Sequence, residues 1–158
     1  MAGFTHIDDQ GRARMVDVTG KAATVRTATA GAEVSMRPDT FGLIRDQKVK
    51  KGNVIETARI AGIMAAKRTS ELIPMCHPLN ITHVQIDFLP DETQHAIGIR
   101  ASVRALDQTG VEMEALTAVA AGLLTVYDML KAVDRGMTMH DLRLEEKRGG
   151  KSGTFRRK

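Results

Sequence analysis

Apolar residues fall on a helical stripe over residues 110–133, where Leu116, Val119, Ala120, Leu123, Leu124, Tyr127 and Leu130 recur three or four positions apart. The spacing predicts one long amphipathic helix, entered through Thr109 and Glu112, which stand at capping-box distance with Thr109 as the N-cap. A second helix is expected over residues 51–69, whose Ala61, Gly62, Ala65 and Ala66 permit close approach to a neighbouring helix, within the chain or in another copy. Between these helices the period changes to two. Val84, Ile86 and Phe88 alternate with polar neighbours, residues 90–93 carry turn chemistry, and Ile97, Ile99, Ala101 and Val103 alternate again. Residues 12–18 and 22–36 read as extended, separated by a break at 19–21, with Gly31 marking a bulge or bend. A last extended segment is expected at 137–144. The order strand, helix, strand, strand, helix, strand predicts an α+β fold: a ferredoxin-like antiparallel sheet with two long helices on one face, plus an N-terminal extended or hairpin region.

At 158 residues the chain reads as a single domain, 1–158, with segment 1–11 and tail 147–158 expected to be flexible. Its uncharged run at 115–127 is shorter than the ~20 residues a membrane span needs, and Asp8 and Asp9 stand where a signal core would lie. The expectation is a cytoplasmic protein, in keeping with the single Cys76. The net charge of +4 is concentrated: six of the twelve residues at 147–158 are basic and none is acidic. Such a tail attracts polyanions, a nucleic acid or a phosphorylated small molecule. With no Trp, one Tyr and four Phe, the chain offers few stacking platforms, which disfavours single-stranded nucleic acid as the partner.

Candidate chemistry follows from charges in unusual places. Projected along the long helix, Lys131 falls on the shoulder of the apolar stripe, with Asp128 three residues before it on the same face. A desolvated lysine titrates lower and becomes useful for proton transfer; the alternative is a lysine whose stem lies on the stripe while its head reaches water. Lys48, Lys50 and Lys51 crowd the expected start of the first helix, where the macrodipole favours anions, so this end reads as an anion pocket or a solvated basic loop. Met75, Cys76, His77 and Pro78 form a rigid loop. Adjacent Cys and His chelate poorly and no CxxC or HxxxH spacing supports them, so no metal site is expected, while His77 suits hydrogen bonding to phosphate or acid–base work. Glu112 and Glu114 complement a helix start. Residues 149–153, GGKSG, have a phosphate loop's composition without Walker A spacing.

The runs MVDVTGK (15–21), ARIAGIMAAKRTSELIPMCHPL (58–79), TGVEMEALTAV (109–119), YDMLKAVDRGM (127–137) and EKRGGKSG (146–153) closely resemble the cyclic pyranopterin monophosphate synthase family of molybdenum cofactor biosynthesis. The resemblance implies a lyase without a cofactor, converting the nucleotide-derived 3′,8-cyclo-7,8-dihydro-GTP into cyclic pyranopterin monophosphate with release of pyrophosphate. On that reading Lys131 and Lys51 are the acid–base pair and Asp128 orients Lys131. Met75, Cys76, His77, Met113 and Glu114 bind substrate, joined by Glu112, while Arg26, Lys67, Lys147 and Lys151 grip the triphosphate. The resemblance also implies a homohexamer, a trimer of dimers with sites at dimer interfaces, and a functional link to the radical enzyme that supplies the substrate.

Overall fold

The computed structural model describes residues 6–158. Its centre is β1 (Thr24–Ser35), paired antiparallel with β3 (Ala96–Asp107) on one side and β4 (Thr138–Arg148) on the other. Strand β2 (Ile81–Asp91) adds outside β3, and the short β5 (Phe155–Arg156) outside β4, giving the order β2-β3-β1-β4-β5. Two helices, α2 (Val54–Lys67) and α4 (Glu112–Leu130), lie against one face, with the shorter α1 (Pro38–Arg45) and α3 (Thr69–Leu72) in the connection from β1. The β2-β3-β1-β4 order with two crossing helices is the expected ferredoxin-like arrangement, extended by one edge strand.

Alternation on the central strands creates the two faces. Ala28, Ala30, Ala32 and Val34 of β1, with Ile97, Ile99, Ala101 and Val103 of β3, are buried in the core. Small residues on β1 let α4 approach the sheet, and Gly62 and Gly122 let the two helices approach each other. A Cβ on Gly62 would stand 2.9 Å from the Ala118 carbonyl oxygen, and one on Gly122 would stand 3.7 Å from that of Ala58. These contacts set α2 and α4 antiparallel and spend Gly62 and Ala66 on packing within the chain. Gly31 does lie at a β1–β4 register shift, as the bulge expectation has it. Above it the Glu145 carboxylate crosses β1 to meet Arg100 Nε at 2.8 Å.

Several expectations need correction. The first helix starts at Val54 behind an Asn53 cap that accepts from the Glu56 N–H at 3.1 Å, so Lys51 precedes the helix and lies in a loop. The long helix starts at Glu112 with Val111, not Thr109, in the N-cap position, and its last residue is Leu130. Residues 12–18 join no strand of the sheet, and Ala13 makes one isolated antiparallel bridge to Ile7 in the N-terminal region. The final strand runs on to Arg148, and the tail turns back so that Phe155 and Arg156 pair with Lys147 and Glu146. Of the N-terminal segment 1–11, residues 1–5 lie outside the described residues, and the rest curl around Asp8, whose carboxylate accepts from the N–H groups of Gln10 and Arg12. By length and composition α4 could cross a bilayer, but half of that stretch is buried inside the protein.

Candidate functional site

The N-terminal end of α4 projects into a cavity of about 380 Å³. Met75, Cys76, His77 and Leu79 from the loop after α3 form one wall, Glu112, Met113 and Glu114 another, and Val16 and Lys21 close the side. The prolines at 74 and 78 keep this loop out of helix and hold Cys76 and His77 facing the helix end. A second hollow of about 710 Å³ is lined by Arg26, Gly149, Gly150, Lys151 and Ser152, and shares Lys21, Thr109, Gly110 and Glu112 with the first. The two hollows therefore adjoin, one walled by sulfur, imidazole and carboxyl groups, the other by cations and glycines.

Arg26 is held from behind: Nε donates to the Asp107 carbonyl at 3.3 Å and Nη2 to that of Gln108 at 3.1 Å. Gly149 and Gly150 wrap over it with φ of 98° and 77°, and a Cβ on Gly150 would collide with the Arg26 guanidinium. Only glycine adopts this path without strain. The Lys147 ammonium meets the Ser152 hydroxyl, which fastens the loop to β4.

Glu114 is the unusual group. It is 3 % exposed, and burial, with Glu112 and Asp107 adding like charge against one backbone hydrogen bond, raises its carboxyl to about 7. Burial and then the Glu114 charge also raise the Cys76 thiol, which keeps it protonated at neutral pH. Among the described residues no three His, Cys, Asp or Glu side chains gather as a metal site.

The proton-transfer candidates meet at the other end of α4. Lys131 Nζ lies 2.6 Å from Asp128 Oδ1, and Lys51 Nζ donates to the Asp128 backbone carbonyl at 2.9 Å. The hydrogen bond and charge of Lys131, then the charge of Lys51, hold the Asp128 carboxyl below its usual range. Lys131 keeps helical backbone, its N–H donating to the Tyr127 carbonyl, while its side chain is 52 % exposed, so of the two readings the sequence offered the lysine whose head reaches water fits the single chain. A single chain does not desolvate it.

Most candidates thus fall into two clusters. Met75, Cys76, His77, Glu112, Met113, Glu114, Arg26 and Lys151 line the adjoining hollows, with Lys147 on their rim, and Lys51, Asp128 and Lys131 form the opposite group. At 1.5 Å per residue the two are about 20 Å apart along α4. Lys67, exposed in the last turn of α2, lines neither hollow. Lys21 was missed as a site residue, although it lines both; its signal was the Gly-Lys that closes MVDVTGK behind the Asp17–Thr19 turn.

The sequence model of the MoaC family matches residues 15–150. A protein of Desulforapulum autotrophicum named cyclic pyranopterin monophosphate synthase is 59 % identical over 155 residues, covering 98 % of this chain and 95 % of its own. Synthases of the same name from Thermomicrobium roseum and Methylobacterium sp. are each 57 % identical, covering 99 % and 98 % of this chain and 95 % and 97 % of theirs. The matched span contains every candidate of both clusters except Lys151, and the chain belongs to the MoaC family of enzymes.

Proposed function

We propose that this chain is a cyclic pyranopterin monophosphate synthase, converting 3′,8-cyclo-7,8-dihydro-GTP into cyclic pyranopterin monophosphate and pyrophosphate in molybdenum cofactor biosynthesis. The observation that carries the reading is the sorting of its candidates into two adjoining hollows and a separate lysine–aspartate cluster, within a sequence that family relatives match over nearly its full length. Opening the former imidazole ring, closing the pyrazine-type ring and forming the cyclic phosphate all require proton transfer and phosphate neutralisation. Lys131 and Lys51 move the protons, and Asp128 orients Lys131. Glu114 faces the first hollow from α4, and a carboxylate there can accept two N–H groups from the 2-amino pyrimidinone edge of a guanine-derived ring. Arg26, Lys21, Lys147 and Lys151 suit the triphosphate, with Arg26 already pre-oriented by two carbonyls.

The two clusters cannot act on one small molecule within a chain, since about 20 Å separates them. A second copy running antiparallel across α4 joins one copy's Lys131 end to the other's Glu114 end. The surface between the clusters supports this: Ile60 and Met64 of α2 and Leu124 of α4 are 62 %, 40 % and 57 % exposed. Such a contact also supplies the burial that Lys131 lacks alone. Dimers of this kind assembled in threes make the hexamer, in the cytoplasm beside the radical enzyme that supplies the substrate.

Turnover of prepared 3′,8-cyclo-7,8-dihydro-GTP, followed by both products, tests the reaction. Lys51→Ala, Asp128→Ala and Lys131→Ala are each expected to abolish it. Refolding Lys131→Ala together with Glu114→Ala tests the shared site. Random pairing leaves about a quarter of sites intact in a two-fold dimer, so about a quarter of parent activity should return. A mixture no more active than its components removes the composite site.

A further inference from the structure

We propose that Asp134 and Arg37 form a positioning clamp that fixes the Lys131–Asp128 pair relative to Lys51; the proposal rests on the assignment of those three residues to proton transfer. Asp134 is 2 % exposed. A carboxylate buried so deeply persists only when its oxygens are satisfied. Oδ2 accepts the Arg37 backbone N–H at 3.0 Å, and Oδ1 accepts that of Gly136 at 3.0 Å, with Arg37 Nη1 at 3.9 Å. The Arg37 guanidinium in turn donates through Nη2 to the Val133 carbonyl at 2.8 Å, while its Nε meets Asp39 at 3.1 Å. One carboxylate and one guanidinium therefore tie the start of α1 to the turn that follows α4.

That turn begins at Lys131. The Lys131 N–H donates to the Tyr127 carbonyl at 2.8 Å, and the N–H groups of Val133 and Asp134 both donate to that of Leu130, at 2.9 and 3.0 Å. The Tyr127 hydroxyl donates to the Arg135 carbonyl at 3.2 Å. The chain folds into a compact knuckle from which the Lys131 side chain reaches back to Asp128. On the other side of the clamp, Pro38 opens α1, and the loop after α1 delivers Lys51 to the Asp128 carbonyl. Both lysine side chains are exposed and long, so the placement of their backbone sets where the ammonium groups can meet a substrate. Displacements near 1 Å at such centres change rates by about 100-fold.

Asp134→Asn and Arg37→Lys test the clamp. The first keeps the shape of the carboxylate but turns an amide donor toward one of two N–H groups; the second keeps the charge and loses the fork. Each is expected to lower kcat by about 10- to 100-fold with KM held within about twofold, and to shift the ¹⁵N resonance of the Lys131 side chain in the substrate-free protein. Urea midpoints show which variants fold, and Arg37→Lys decides the matter if Asp134→Asn does not. Folded variants with parental kcat and an unmoved Lys131 resonance overturn the clamp, as does a loss of stability alone. A moved resonance in a protein whose parent does not turn over substrate leaves the clamp standing and removes the proton-transfer assignment instead.

Discussion

Replacing Glu114 with Gln should flatten the pH dependence of stability, because burial disfavours the ionised carboxylate in the folded chain. Burial raises the folded-state carboxyl from 4.5 to about 7. Below the unfolded value both states are protonated, and above the folded value both are ionised. Between them the folded chain holds a proton that the unfolded chain has released, so stability present at low pH is lost as pH rises through this window. At about 1.4 kcal/mol per pH unit, that rise of the carboxyl amounts to roughly 3 kcal/mol. Urea unfolding of the parent and Glu114→Gln between pH 4 and pH 8 measures it, because the difference between the two curves cancels every other titrating group. The variant should gain about 3 kcal/mol relative to the parent from the acid end to the alkaline end. Parallel curves would refute the desolvation argument, and with it the picture of Glu114 as a carboxyl awaiting a partner from the ligand.

Gly62→Ala should destabilise the fold by about 1–3 kcal/mol, since the added methyl meets the Ala118 carbonyl and the Ile86 side chain and forces α2 from α4. Gly42→Ala, in α1 with open space around it, should instead stabilise by up to about 1 kcal/mol, and urea midpoints of the two variants check the contrast. Gly150→Ala should raise KM severalfold with little change in kcat, because it dislodges the loop over Arg26 without touching the Lys131 cluster; steady-state kinetics that show a selective fall in kcat contradict this.

The sheet was legible where side chains alternate, as on Ile97 to Val103, and obscure where they do not. The second half of β4, Leu142 to Arg148, is mostly charged, and its pairing with β1 lies in backbone bonds that no hydropathy pattern records. Helix α1 has eight residues, of which only Thr40 and Phe41 are buried, too few to show a period. At the site, motifs identified the residue types but not their surroundings. Glu114 looked like an ordinary first-turn acid, and its burial depends on the loop that brings Cys76 and His77 alongside from some 40 positions earlier. For Lys131 the angular projection gave the position of the backbone but not the path of the long side chain, which reaches out to Asp128 and water.

One helix carries both groups. Its buried stripe, from Ala115 to Leu130, makes α4 a rigid rod that holds an acid-lined pocket at one end and a lysine pair at the other. Rigidity serves precision at each end but forbids the ends from meeting, so the proposed joint action of both ends would need a second rod laid alongside in the opposite sense. In the proposed dimer a contact of that kind would cover Leu124 and the exposed Ile60 and Met64 of α2. Under that proposal the desolvation a proton-transferring lysine needs would arise between two helices and not along the stripe of one.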